Sequence, residues 1–192
     1  MGKRRLPSNA REQILDAANA VVALKGVASL TLEEVAREAG LSKGGVLYHF
    51  PSKEALTAAM IERFIHRFDD AMARVAERDP DKRGSYARAY VRVSMGDVPG
   101  GTDMIDRING SLTAALANYP ERLAPVRGQG ARNQKLIAND GLDPIIASII
   151  RFAVDGMWLG ENFNLARIDP KLKAAIARRL IAWTKTEEHA EP

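Results

Sequence analysis

Between Thr31 and Lys53 the chain gathers side chains suited to holding phosphate oxygens rather than to breaking bonds. Thr31 and Ser42 place hydroxyls at the starts of two short helical stretches. Free backbone N–H groups and the positive end of the helix dipole collect at the same points. In "GLSKGGVLYHFPSKEAL", Lys43 and Lys53 supply ammonium groups, and Tyr48 and His49 supply aromatic tips with polar atoms. Gly44 and Gly45 lie between them. Each glycine costs about 1 kcal/mol against alanine in a helix interior, and less near an end. A helix that merely packs gains nothing from this. A helix whose backbone lies against another surface does gain, because no Cβ stands in the way.

Bond-breaking chemistry finds little support. The three His, at 49, 66 and 189, show no metal-ligand spacing, and Cys is absent. Glu33-Glu34 and Asp69-Asp70 are adjacent acids, which point in different directions on a helix. "GDVPGG" has the wrong spacing and flanks for a dinucleotide fingerprint. No catalytic residue, metal or cofactor is expected.

The totals describe an ordinary folded chain. It has 192 residues, 46% hydrophobic and 27% charged. That suffices for one large domain or a small one joined to a larger one. Without Cys there is no disulfide framework, and a reducing compartment, the cytoplasm, is expected. No run of about 18 apolar residues occurs, so no membrane span is expected. The opening "MGKRRLPSNAREQ" has no apolar segment behind its basic residues and does not read as a secretory signal. The net charge of +4 hints only weakly at an acidic partner. Placement says more: Lys3, Arg4 and Arg5 are bunched ahead of the first helix, with no acid until Glu12.

Apolar residues recur at spacings of three and four, and period-two β-branched runs are missing, so an all-α fold is expected. Residues 10–25 read as the first helix, capped by Asn9 with Glu12 three residues on and stopped by Gly26. Ile14, Leu15, Ala18, Val21 and Val22 form its buried stripe. Thr31 and Glu34 make a capping box for the second helix. Gly40 suits a left-handed stop, and Ser42 opens a third helix that ends near Phe50. A long fourth helix runs over residues 53–78, roughly 40 Å at 1.5 Å per residue. Its stripe is Leu56, Met60, Phe64, Phe68, Met72 and Val75. Further helices are expected at about 85–95, 102–118 and 120–139. Asp143-Pro144 and Asp169-Pro170 open two more, to about Phe163 and Thr184.

Two short helices joined by a tight turn at Gly40 make a helix-turn-helix or, on spacing alone, a helical hairpin inside a bundle. At about 100° per residue, Val46 and Phe50 fall together and should pack on the first two helices. Gly44 and Tyr48 fall on the opposite side, flanked by Gly45 and Leu47. Duplex DNA suits such a face, since its major groove admits a helix whose N-terminal residues meet the base edges. Thr31, Ser42 and the helix-start N–H groups are placed for phosphate oxygens, and Lys43 and Lys53 for charge contacts. Lys3, Arg4 and Arg5 form an arm for the backbone or the minor groove.

At this point "TLEEVAREAGLSKGGVLYHFPSKEAL", following "REQILDAANAVVALKG", resembles the tetracycline-repressor (TetR) family of bacterial transcription regulators. Helix order, turn and the His-Phe-x-x-Lys ending agree over about residues 10–57. The resemblance implies a three-helix DNA-binding domain over residues 1–57, with its motif at about 31–50. A long helix would join it to a larger helical effector-binding and dimerisation domain over 58–192. Implied recognition contacts are Ser42, Lys43, Gly44, Gly45, Tyr48 and His49, with phosphate clamps at Thr31 and Lys53. Implied too is a ligand-responsive repressor that binds a palindromic operator as a homodimer. Many relatives carry two aromatics before His-Phe, where this chain has Leu47 first, and Gly45 stands where others carry a polar residue. Side-chain readout is therefore thin. Lys43, contact of Leu47 with thymine methyls and DNA shape are left to supply specificity.

The stretch "DPIIASIIRFAVDGMWLGENF" is apolar around most of a helical circumference. Only Ser148, Arg151, Asp155 and Asn162 align as a polar stripe, with Trp158 beside it. Arg151 and Asp155, at i and i+4, are expected to pair. Ala153, Gly156 and Gly160 cluster on another side and would permit close helix contact. The last helix adds Leu172, Ile176, Leu180 and Trp183 on one face. A helix buried nearly all round is central in a large domain or shared with a partner. The resemblance implies a four-helix dimer bundle; the alternative is the core of a monomer. It also implies a pocket for an unknown small-molecule effector, with Met95, Met104, Phe152, Met157, Trp158 and Asn162 as candidate liners. Readings of other classes are an enzyme, and a helical interaction module or small-molecule-binding protein without DNA binding.

Overall fold

The computed structural model describes residues 9–96, 98, 123–162 and 165–185. The described residues form an all-α chain without strands. α1 (Ala10–Lys25) is followed by a 3-10 turn (Val27–Ser29), α2 (Leu32–Glu38), α3 (Lys43–His49) and α4 (Lys53–Arg78). Then come α5 (Ser85–Ser94), α6 (Ala124–Ala138), α7 (Pro144–Asn162) and α8 (Pro170–Trp183). The helix expected at 102–118 lies outside the described residues, as do Lys3, Arg4, Arg5, Met104 and the side chain of Asn162. No described helix is long and apolar enough to cross a membrane. The chain divides into two compact units, and the division falls inside α4, between Phe64 and Ile65.

In the first unit the stripe of α1 meets Leu30, Val35, Val46, Phe50, Leu56 and Met60 in one core. Each aliphatic side chain taken fully out of water contributes roughly 1.5–3 kcal/mol. α1 packs on α2, and α2 on α3. Arg63 of α4 reaches back to α1, donating to Asp16 Oδ1 at 2.8 Å and to Glu12 Oε2 at 3.1 Å. That clasp accounts for one departure from expectation. Asn9 makes no side-chain cap bond, and Glu12 faces Arg63 instead of completing a cap at the start of its own helix.

In the second unit α5 packs on α7 and α8, and α6 packs on α7. Arg88 of α5 is wholly buried. Its Nε donates to Asp79 Oδ2 at 2.7 Å, and Nη1 donates to Thr184 Oγ1 at 2.9 Å and to the Arg83 carbonyl at 3.0 Å. The guanidinium holds the Asp79 carboxyl below the usual carboxylate range. Gly84, at the start of α5, has a left-handed φ of 75° and no side chain with which to cap. A Cβ there would come within 2.9 Å of Arg88 Nη1, so glycine is required on two counts. Capping passes instead to Asp140, whose Oδ2 accepts the Ala87 N–H at 2.7 Å. Tyr90 donates its hydroxyl to Asp155, and Arg151 Nε lies 3.4 Å from the same carboxylate. Burial first, then the Asp155 charge, pushes the Tyr90 hydroxyl up from its ordinary value.

Candidate nucleic-acid interface

The turn between α2 and α3 follows from Gly40. Its φ is 64°, in the left-handed region that favours glycine. There the Leu41 N–H reaches the Ala36 carbonyl at 2.9 Å and the Gly40 N–H reaches the Arg37 carbonyl at 3.3 Å. These two bonds are those of a Schellman stop. Leu41 packs against the core, and Ser42 follows in extended backbone as the cap of α3. Ser42 Oγ accepts the Gly45 N–H at 3.1 Å, and Thr31 Oγ1 accepts the Glu34 N–H at the same distance. Each hydroxyl thus spends a lone pair on its helix and keeps its proton for an outside acceptor.

The expected capping box is only half made. The Glu34 carboxylate is held by Arg37, with Nη2 at 2.6 Å and Nε at 3.2 Å, and by Lys25 from the end of α1. A bidentate, charge-assisted contact outcompetes a neutral backbone N–H. Hydrogen bonds from Arg37 and Lys25 bring the Glu34 carboxyl down to about 2.

Val46 and Phe50 anchor α3 in the core. The other side of α3 faces outward. Lys43 and Gly44 are exposed, Gly45 is half-buried, and Tyr48 is 78% exposed. Among the described residues a Cβ on Gly44 would meet nothing nearer than Ser42 Oγ at 3.9 Å. No packing contact among them therefore explains a glycine there. Leu47 is exposed beside Tyr48. The Tyr48 ring meets His49 edge-on, with centroids 5.1 Å apart. His49 is half-buried, and its Nε2 is buried without a hydrogen-bond partner among the described residues. Thr31, Ser42 and Lys53 are exposed. Lys43 Nζ lies 2.5 Å from Glu33 Oε1, a contact that sequence spacing did not signal. The Arg63 clasp was missed for the same reason.

Of the six residues named for an effector pocket, Met95, Phe152, Met157 and Trp158 have described side chains. Met157 is buried, Met95 and Trp158 are half-buried, and Phe152 is 67% exposed on the outer side of α7. Two clefts in the second unit measure about 420 Å³ and 610 Å³. The first lies beside Arg88 and Arg92, the second beside Tyr86 and Asp140, and neither is lined by Met95, Phe152, Met157 or Trp158. The residues named for an interface also divide. Gly156, Leu172 and Trp183 are exposed, and Ala153 and Ile176 are half-buried. Leu180 is only 3% exposed, inside its own unit. Gly160 is buried, with Ala166 3.4 Å from where its Cβ would stand. Unforeseen in the sequence, Ile145, Ile149 and Leu159 are exposed alongside Phe152.

Comparison with known proteins agrees with this architecture. The chain matches "Tetracyclin repressor-like, C-terminal domain" over residues 84–185. It matches "Bacterial regulatory proteins, tetR family" over residues 14–60. It is 29% identical over 199 residues to the HTH-type transcriptional regulator BetI of Stenotrophomonas maltophilia (strain R551-3), covering 91% of this chain and 99% of that one. The multidrug binding protein EbrR complexed with imidazole is similar in structure, with TM-score 0.62 and 27% identity over 93% of each chain. A TetR-family member from Streptomyces coelicolor A3 gives TM-score 0.66 at 27% identity, covering 89% of this chain and 97% of that one. With both its N-terminal and its C-terminal parts matched, the chain belongs to the tetR family of bacterial regulatory proteins, as a DNA-binding transcriptional regulator of the helix-turn-helix type.

Proposed function

We propose that this regulator binds a pseudo-palindromic operator as a homodimer and that a small-molecule effector governs the binding. The observation that carries the DNA contact is the outer face of α3: Gly44 is bare and unobstructed, and the exposed Tyr48 stands one turn on. In this reading residues 1–57 form the reader, and α3 enters the major groove with Lys43, Gly44, Gly45 and Leu47 towards the base edges. Thr31, Ser42 and Lys53 hold phosphates, and Tyr48 and His49 touch sugar-phosphate. Lys3, Arg4 and Arg5 follow the backbone or the minor groove.

Residues 58–192 serve dimerisation and effector binding. Along α7 the exposed Ile145, Ile149, Phe152 and Leu159 fall on one side with Gly156, and α8 adds Leu172, Ile176 and Trp183. A two-fold copy of the same surface covers them, and its recognition helices meet half-sites about 34–36 Å apart or at a related spacing. Phe152 then belongs to the interface rather than the pocket, and Gly160 and Leu180 belong to the protomer's interior. Met95, Met157 and Trp158 remain as pocket residues. Solved complexes of EbrR with imidazole and ethidium support a small molecule as the effector here. The effector favours one arrangement of the protein over another, and α4, continuous through both units, carries the change to the reader. Effector and operator affinities are then linked reciprocally. The outcome is repression, exerted in the cytoplasm.

Selection of bound duplexes from a random pool, repeated with candidate ligands, tests this. The expected result is one enriched pseudo-palindrome whose binding weakens steeply with salt and is lost with one ligand. Failure to enrich any sequence would refute the reading.

A further inference from the structure

The first turns of α2 and α3 are joined by an ion pair that the fold does not need. Glu33 Oε1 and Lys43 Nζ are 2.5 Å apart, with side chains 61% and 56% exposed. An exposed pair of this kind contributes about 0–1 kcal/mol to stability. Its place is more telling. Lys43 stands between Ser42 and Gly44 and is the only Lys or Arg within residues 42–49. Glu33 stands two residues after Thr31. A carboxylate in the first turn of α2 also occupies the positive end of that helix, where a phosphate would otherwise be favoured. The Lys43 hydrogen bond and charge hold the Glu33 carboxyl below its usual range, so it is ionised at neutral pH.

We propose that Glu33 is a specificity-determining residue that restrains Lys43. Its carboxylate engages the ammonium, so Lys43 is withheld from the phosphates of arbitrary DNA. An ammonium has three donors. Lys43 keeps one on Glu33 and can still give another to a base acceptor such as guanine O6 or N7 in the groove. A phosphate contact gains little under that restraint, because the pair brings no net charge to the duplex and the carboxylate repels it. Non-specific binding rests almost wholly on phosphate attraction, so Glu33 suppresses it more than it suppresses operator binding. The side chains of α3 offer few other base contacts, and the restraint on Lys43 therefore bears directly on the ratio of specific to non-specific affinity.

This inference rests on α3 entering the groove, and the test separates the two. Wild type, Glu33→Gln, Lys43→Gln and the double variant are titrated against the duplex recovered by random-pool selection and against a scrambled duplex of the same length and composition, at several salt concentrations. Thermal unfolding of each variant checks the fold. Glu33→Gln is expected to bind the scrambled duplex about two- to five-fold tighter, with a salt slope steeper by about 0.9. The selected duplex should gain less. In the Lys43→Gln background the second substitution relieves only the carboxylate's own repulsion, so its gain should be smaller and the same on both duplexes. Equal gains on both duplexes with Lys43 present, an unchanged salt slope, or a gain just as large without Lys43 would each overturn the proposal. If wild type binds no selected duplex, the groove reading itself has failed.

Discussion

Gly44 and Arg88 illustrate opposite reasons for an unusual residue. Gly44 is exposed, and among the described residues an added Cβ meets only Ser42 Oγ at 3.9 Å. The fold should therefore tolerate substitution there. Gly44→Ala is expected to raise stability by up to about 1 kcal/mol through helix propensity, and Gly44→Leu to abolish DNA binding while the protein stays folded. Thermal unfolding and a gel-shift titration read the two effects separately, and wild-type binding by the leucine variant would show that this face does not enter the groove. Arg88 is needed for the opposite reason, since its guanidinium is buried against Asp79 at 2.7 Å. Arg88→Met leaves the buried Asp79 carboxylate with only the Asp81 N–H at 3.1 Å and the more distant Arg92 at 3.9 Å, and is expected to cost about 3–5 kcal/mol. The sign of its pH dependence follows from Asp79, whose folded pKa lies below its unfolded value. That pair's contribution is full above the unfolded value and is lost as pH falls through the folded one. Urea unfolding across acid pH should show this loss in wild type and its absence in Arg88→Met.

At the scale of elements, local signals were legible and borrowed ones were not. α1 keeps the limits its apolar stripe and Gly26 set, and α8 opens on Asp169, whose carboxylate accepts the Lys171 and Leu172 N–H groups as the Asp-Pro pair suggested. Gly40 stops α2 as its type required. The motif at 31–53 was readable because its caps, turn and anchors lie within one contiguous stretch. Where sequence failed, the deciding partner mostly lay far along the chain. Glu12 is claimed by Arg63, whereas Glu34 is lost to Arg37, only three residues on, as well as to Lys25. α5 is capped by Asp140, which no reading of "RGSYARAY" could supply. Asp140→Ala is therefore expected to destabilise the second unit by about 1–2 kcal/mol, as loss of an ordinary cap does. Hydrogen exchange should quicken first at Ala87, and unchanged protection there would refute the assignment. In the first unit, Glu34 has its carboxyl lowered to about 2 by Arg37 and Lys25. Its tie from α1 to α2 is complete above the ordinary carboxylate value and should loosen as pH falls towards about 2.

For the molecule as a whole, the question is what covers the apolar side of α7. Helical projection put Leu172 and Leu180 on one face, yet Leu172 is exposed and Leu180 is buried near the end of α8, where Thr184 meets Arg88. Only tertiary packing separates the end of a helix that serves its own core from the part left outside. The same packing leaves Ile145, Ile149, Phe152 and Leu159 in water on a face that no described element covers. A two-fold partner would cover each of them with its own counterpart. A charge introduced there would appear twice near one axis, desolvated and opposed by its copy. Phe152→Glu is expected to leave the protomer folded, because that side chain already lies outside the protomer's core. Sedimentation equilibrium at micromolar concentration should show wild type as a dimer and Phe152→Glu as a monomer. Operator affinity should fall with dimerisation, although α3 is untouched, because one reader can engage only one half-site. A Phe152→Glu protein that still sediments as a dimer would place the interface elsewhere, and one that is monomeric yet binds the full operator undiminished would uncouple dimerisation from recognition.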